Sequence, residues 1–310
     1  MFLIVAMFFL SGCFRSNTNS NTITIFHAGS LSMPLKAITD SFKRLNPEVT
    51  FNLEAAGSVE CARKITDLNR QCDLFFSADY QVINQLLITN HAIFFIPFSG
   101  NRMVIAYSPK SKFSGSIDSL NWSSILLKPN VTFGRSDPNA DPCGYRTVLV
   151  LQLAEKYYGK KGLADSLLAK DVQFIRPKEV DLLALLETGT IDYLFIYESV
   201  AKQHGLQYIN LPDSVNLGNF SLASHYGSVQ VKIRGHSPND SLTIVGEPIV
   251  YAFTIPKNAP HAQLALRFAK YFLSDTGGMR IITQMGQQSL ISFNSQYGSV
   301  PDDLKAFVCK

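Results

Sequence analysis

Residues 22–36 read TITIFHAGSLSMPLK, and the path of the chain through them decides what kind of fold follows. Thr22 to Phe26 alternate as a β-strand does, His27-Ala28-Gly29 turns the chain, and Ser30 stands where a helix begins. Pro34 falls in the first turn of that helix, where a missing backbone N–H costs nothing. A helix N-terminus at the carboxyl end of a strand offers unpaired N–H donors and the positive end of a dipole, which together suit an anion. The arrangement recurs at residues 49–69, with VTFNLEA as strand, Ala56-Gly57-Ser58 as turn and a helix from Val59. Either serine alone reads as an ordinary N-cap. Two such turns in succession suggest one small anion held between two hydroxyls and several amides.

Working outward, the alternation continues. Residues 72–77 form a short apolar strand, followed by Ala78-Asp79 and a helix near 80–89. Strand and helix in alternation predict a parallel sheet with crossover helices, whose ligands sit at the carboxyl ends of the strands. At 93–101, IFFIPFSGN, the chain crosses into a second α/β set. That set holds strands at 102–107, 131–133, 172–175 and 193–197, and helices at 121–127, 145–158, 180–188 and from 199. Between 136 and 145 lies SDPNADPCGY, too rich in Pro and Asp for regular structure. Strands at 228–233 and 249–255 and helices at 260–273 and 277–285 complete the reading. Leu35, Ile38, Phe42 and Leu45 mark the apolar face of the first helix, and Leu264, Leu266, Phe268 and Phe272 that of the helix at 260–273. Two α/β halves joined by crossing strands imply two lobes, residues 22–96 with 247–310 and residues 97–246, that close on a ligand by hinge motion.

Composition agrees with a soluble globular chain. At 310 residues, 46% apolar and 17% charged, there is material for two domains of ordinary size. The net charge of +4 is mild, and no basic run interleaved with aromatics argues for nucleic acid. Residues 1–12 form an apolar stretch ending in Leu10-Ser11-Gly12 ahead of Cys13. It is too short to span a bilayer, which needs ~20 apolar residues, and fits a signal peptide. Small residues directly before Cys13 resemble the lipobox of secreted lipoproteins, which would make Cys13 the lipidated first residue of the mature chain. The lack of Lys or Arg before the apolar run departs from that pattern. Residues 13–21, rich in Ser, Asn and Thr, then read as a flexible tether. The other cysteines, Cys61, Cys72, Cys143 and Cys309, match no zinc spacing and leave open whether any pair forms a disulfide.

Five strand-to-helix turns are placed to meet at a cleft: 28–30, 57–58, 141–144, 178–180 and Tyr197. Their motifs, HAGSLSMPL, EAAGSVECARKITDL, CDLFFSADY, DPCGYR, RPKEVDLLALLETG and DYLFIYESVAKQHGL, in this order over residues 22–285, resemble the molybdate/tungstate-binding lipoproteins of ABC transporters. Within these, the resemblance is to the tungstate-preferring subfamily. It implies an α/β fold of the two-lobed type II periplasmic binding protein kind, each lobe a mixed, mostly parallel sheet flanked by helices. It further implies an exported, membrane-anchored monomer that serves an ABC permease and its ATPase, with tungstate or molybdate as cargo and no cofactor.

The same resemblance assigns site residues. Ser30 and Ser58 would supply donors from the first lobe; the amides of Cys143 and Val180 and the hydroxyl of Tyr197 would supply them from the second. A dianion stripped of water needs oriented donors on each oxygen, and neutral groups can provide them. Asp141 and Glu179 are the unusual members. A carboxylate beside a dianion is repelled by ~4 kcal/mol per charge pair at 4 Å with an effective dielectric near 20. In the tungstate subfamily two carboxylates bond directly to the metal and expand its oxygen shell from four to six. Hexavalent Mo and W are hard, oxygen-preferring centres, and sulfur in sulfate does not expand in this way, so the pair would exclude sulfate and phosphate. The plainer alternative is that Asp141 caps the following helix and Glu179 meets a helix dipole.

Two rival functions stand beside this one. The same architecture could be tuned to sulfate, phosphate or another small anion. A secreted serine hydrolase using Ser30 or Ser58 would need a base and an acid. His27 lies only three residues from Ser30, no acid is placed to orient it, and no G-x-S-x-G occurs. His27 therefore reads as structural, Glu198 as solvated, and Arg176 and Lys178 as surface charges or partners of Glu187 or Asp192. Phe75, Phe76, Tyr193 and Phe195 read as core.

Overall fold

The computed structural model describes residues 21–235, 240–290 and 298–308. The leader, Cys13, the tether up to residue 20 and Cys309 lie outside the described residues. No helix among the described residues is long and apolar enough to cross a membrane.

Thirteen strands among the described residues form two sheets and a ribbon. They are β1 (Thr22–Ala28), β2 (Thr50–Ala56), β3 (Leu74–Ser77), β4 (Ile96–Gly100), β5 (Met103–Tyr107), β6 (Phe133–Ser136) and β7 (Ile175–Arg176), then β8 (Tyr193–Tyr197), β9 (Gln207–Asn210), β10 (Gln230–Arg234), β11 (Ser241–Val245), β12 (Val250–Thr254) and β13 (Gln288–Ser289). The first sheet has the order β13-β4-β12-β3-β1-β2 and the second β7-β6-β8-β5-β9, while β10 and β11 pair as a ribbon. β1 runs parallel to β2 and β3, and β6 runs parallel to β7 and β8. β12 and β5 run antiparallel to their neighbours. The result is the two-lobed, mixed α/β architecture that the alternation of elements implies. The expected junction at 96/97 falls at the start of β4, which pairs with β12 in the first sheet, so the chain leaves that sheet at Asn101.

Burial explains why the central strands carry nearly unbroken apolar runs. Leu74, Phe75 and Phe76 of β3 and the whole of β8 are buried, as both faces of a helix-covered sheet require. Around β3, Phe76 stacks on Phe253 at 5.1 Å and meets Phe272 edge-on at 4.8 Å. In the second lobe Phe195 takes Trp122 and Phe133 edge-on at 6.0 and 5.8 Å. Such pairs add ~0.5–1.5 kcal/mol each beyond burial.

Four helices frame the cleft: α1 (Ser32–Leu45), α2 (Ser58–Thr66), α3 (Tyr80–Leu86) and, after the short α4 (Trp122–Leu126), α5 (Pro142–Tyr158). Leu35, Ile38 and Phe42 bury the inner face of α1, but Leu45 is exposed at its last residue. On the helix Ala262–Leu273 the buried stripe is Ala265, Phe268, Ala269 and Phe272; Leu264 and Leu266 only flank it. The segment expected as a strand at 172–175 is a 3-10 turn, Val172–Phe174, entered through Asp171 at φ 57°, before the two-residue β7.

Register brings the ligand-side turns together. His27 lies opposite Ala55 and Phe76, so the turns after β1, β2 and β3 sit side by side. Ser136 lies opposite Arg176 and Gly134 opposite Leu194, which gathers the turns after β6, β7 and β8.

Candidate ligand site between the lobes

The two groups of turns meet face to face. A Cβ placed on Gly29 would lie 3.0 Å from Val180 Cγ2 and 3.4 Å from Glu179 Oε2. One placed on Gly57 would lie 2.2 Å from the Ala140 carbonyl oxygen. Both Gly-Ser turns therefore press on the second lobe at the two carboxylate-bearing loops, and any side chain at Gly57 would hold the lobes apart. Glu60 in the first turn of α2 donates its N–H across the gap to Ala140 at 3.1 Å.

Neither serine is an N-cap. Gly57 occupies that position for α2, and Ser30 lies within the 3-10 turn Gly29–Leu31 ahead of α1. Each hydroxyl instead has a donor behind it. Ser58 Oγ accepts from the Ala78 N–H at 2.9 Å, and Ser30 Oγ lies 3.0 Å from the Tyr251 hydroxyl, which donates to it. Tyr251 in turn accepts from Asn101 Nδ2 at 3.3 Å, and the same amide donates to Ser199 at 2.8 Å. The Tyr197 hydroxyl accepts from Arg146 Nη1 at 2.9 Å. Each of the three oxygens thus has a lone pair engaged from behind and keeps a proton to donate elsewhere. All three residues are buried. Burial pushes the Tyr197 phenol well above its ordinary pKa, against the pull of Arg146, so it stays a donor.

Asp141 does cap α5, accepting from the Cys143 N–H at 3.1 Å, and its other oxygen accepts from the Glu179 N–H at 3.1 Å. It thus ties together the two second-lobe turns. The Cys143 amide, expected to face a ligand, is engaged by this cap in the structure. Val180 stands in the first turn of the 3-10 helix Glu179–Leu182, where amides lack intrahelical acceptors. Glu179 is 1% exposed, and neither carboxylate oxygen has a hydrogen-bond partner among the described residues. Burial and the adjacent Asp141 push the Glu179 carboxyl well above its usual range, and burial raises Asp141 too. Two ionised carboxylates side by side in a buried site repel one another, so ionising both without a ligand is disfavoured, while Asp141 keeps its two backbone donors. A buried acid with no partner is costly unless something completes it.

The remaining charges sort out differently from the sequence reading. Glu198 is not solvated: it is buried and pairs with Arg102 at 2.9 Å and Lys202 at 3.3 Å. Lys178 pairs with Asp181 at 3.1 Å, Asp192 with Lys112 at 3.2 Å, and Arg176 donates to the Gln173 carbonyl at 3.0 Å. His27 is buried against the Ala28 carbonyl at 2.9 Å, and burial lowers its pKa to about 4, so it is neutral and structural. Phe75, Phe76, Tyr193 and Phe195 are all core. Cys61, Cys72 and Cys143 are free and buried. Sequence reasoning passed over Asp79, Arg146, Tyr251 and Asn101. Asp79 had a signal, since it follows β3 as Ser30 follows β1 and Ser58 follows β2; Arg146, hidden inside a buried helix, had none.

Comparison with known proteins bears on this cleft. A family model described as a bacterial extracellular solute-binding protein matches residues 23–286. A Petrotoga mobilis protein described as an uncharacterized solute-binding protein is 46% identical, over 86% of this chain and 84% of its own. The molybdate/tungstate-binding protein WtpA of Thermococcus kodakarensis is 38% identical, over 99% of this chain and 94% of its own. Among solved structures, the Azotobacter vinelandii periplasmic molybdate-binding protein superposes with a TM-score of 0.64 at 16% identity, over 87% of this chain and 100% of its own. The sulfate-binding protein SubI of Mycobacterium tuberculosis superposes with a TM-score of 0.62 at 12% identity, over 87% of each chain, so the shared fold by itself does not choose an anion.

Proposed function

Since this chain belongs to the bacterial extracellular solute-binding proteins, an exported family of binding proteins and not of enzymes, we propose that its cleft captures tungstate or molybdate and presents it to the permease of an ATP-driven importer. The observation that carries the reading is Glu179. Its buried carboxylate has no donor of its own among the described residues, and it lies beside Asp141 where both Gly-Ser turns converge. Three buried hydroxyls committed to donating suit the oxygens of a fully deprotonated oxyanion. A pair of carboxylates in the same ring suits only an anion whose central atom can accept further oxygen ligands. Asp141 and Glu179 would then bind the metal of the cargo, while Ser30, Ser58, Tyr197 and the amide of Val180 hold its oxygens; the Cys143 amide, now on Asp141, would join them as that carboxylate turns to the metal. The relatives described as molybdate/tungstate-binding support the same assignment. Lipid on Cys13 would keep a single copy at the membrane surface, next to the permease and its ATPase.

Titration calorimetry of the purified protein with tungstate, molybdate, sulfate and phosphate tests this. Tight binding of the first two with no heat from the others is expected. The reverse order would assign the cleft to the tetrahedral anions that cannot expand their shell.

A further inference from the structure

Arg146 is the residue of the cleft wall that touches the donor systems of both lobes. It lies in the first two turns of α5, in the second lobe. Its Nη1 donates to the Tyr197 hydroxyl at 2.9 Å and to the Ala78 carbonyl of the first lobe at 2.7 Å. Ala78 is the residue whose N–H engages Ser58, so one residue of backbone links Arg146 to the first-lobe hydroxyl. Nη2 lies 2.9 Å from Asp79 Oδ2, near enough to be an ion pair though not aligned as a hydrogen bond. Neighbouring Tyr145 donates to the same Asp79 oxygen at 2.6 Å. The Arg146 and Asp79 side chains are each 3% exposed.

We propose that Arg146 is a positioning residue that couples closure of the lobes to the aim of the Tyr197 hydroxyl, with Asp79 as its counter-ion across the cleft. Its charge is answered by Asp79, so it is not the counter-charge of the ligand and acts through Tyr197. When the lobes part, the guanidinium loses Ala78 and Asp79 together and is free to swing from Tyr197, whose proton then has no fixed direction. When they close, the bond from Arg146 takes the acceptor side of the phenol and leaves only its proton for the cargo. The role assigned to Tyr197 here rests on the proposed function; the lobe-to-lobe contact does not.

The test compares wild type with Arg146→Lys, Asp79→Asn, Tyr197→Phe and the Arg146→Lys/Tyr197→Phe double variant, after circular dichroism and melting have shown each to be folded. Whichever of tungstate, molybdate, sulfate and phosphate binds the wild type is used, so an error in the identity of the cargo does not decide this question. Lysine keeps the charge but cannot reach Tyr197, Ala78 and Asp79 at once. Arg146→Lys and Asp79→Asn are expected to weaken binding by on the order of tenfold to a hundredfold, mainly through faster release. X-ray scattering at saturating anion should show them less compact than loaded wild type. In the Tyr197→Phe background, Arg146→Lys should cost less than about threefold more, because its target hydroxyl is gone. Wild-type affinity in Arg146→Lys, unchanged compactness in both cleft variants, or full multiplicative effects in the double variant would each overturn the proposal.

Discussion

Gly57 of the first lobe and Ala140 of the second are in such close approach that a single added Cβ would sit 2.2 Å from a backbone oxygen. The φ of Gly57 is −62°, which any residue can adopt. Glycine is needed here for space across the cleft and not for backbone freedom.

Gly57→Ala should therefore leave the folded lobes intact and obstruct their closure. Overpacking against backbone costs ~1–3 kcal/mol, which corresponds to a loss of affinity of roughly fivefold to just over a hundredfold. Calorimetry against the tightest-binding anion measures it, and the melting temperature of the ligand-free protein should stay close to wild type. Unchanged affinity would mean that the lobes do not need this contact to hold cargo.

Glu179→Gln keeps the shape of the side chain and removes its charge. If the carboxylate completes the shell of the metal, tungstate and molybdate affinity should fall at least about tenfold. Sulfate affinity should hold or improve, since a repulsive group has gone. Titrations with all three ions read both changes at once. Retention of tungstate binding in this variant would remove the selectivity mechanism.

Tyr251→Phe withdraws the O–H that engages Ser30 at 3.0 Å without touching the cleft surface itself. Ser30 is then free to turn its proton away from the ligand. A loss of about 1 kcal/mol is expected, near fivefold in affinity, and smaller than for Ser30→Ala. An equal or larger effect than Ser30→Ala would show that Tyr251 contributes more than the orientation of Ser30.

Glu247 supplies a pH test away from the cargo. It lies just before β12, where the chain returns to the first sheet, and accepts from the Tyr80 hydroxyl at 2.7 Å. Burial, followed by the charge of Asp79, raises its pKa to about 7 from the usual 4.5. The folded state thus binds this proton more tightly than the unfolded chain does. The stability it contributes is complete below the unfolded value of 4.5 and is lost as pH rises to about 7. Glu247→Gln, which keeps an acceptor for Tyr80, should match wild type near pH 4. At pH 8 it should be more stable by up to about 3 kcal/mol, because each tenfold change in proton affinity between folded and unfolded chain is worth ~1.4 kcal/mol. Urea denaturation at the two pH values measures the difference, and equal stability of the two proteins at pH 8 would contradict the raised pKa.

What the chain declares by itself is local. TITIFHAGS and VTFNLEAAGS name strand, turn and helix because strand periodicity, glycine and helix-start residues act over a few neighbours, and two copies of that unit imply a parallel sheet with its ligand edge known. Ser30, Ser58, Asp141, Glu179 and Tyr197 were legible as edge residues for that reason. The tertiary structure decided what each of them faces. Which hydroxyl has a donor behind it, that Glu198 is paired with Arg102, and that Arg146 reaches Asp79 all depend on contacts between residues about 20 to more than 200 positions apart. Such contacts are set by how two sheets close on one another, and local periodicity carries no record of that closure.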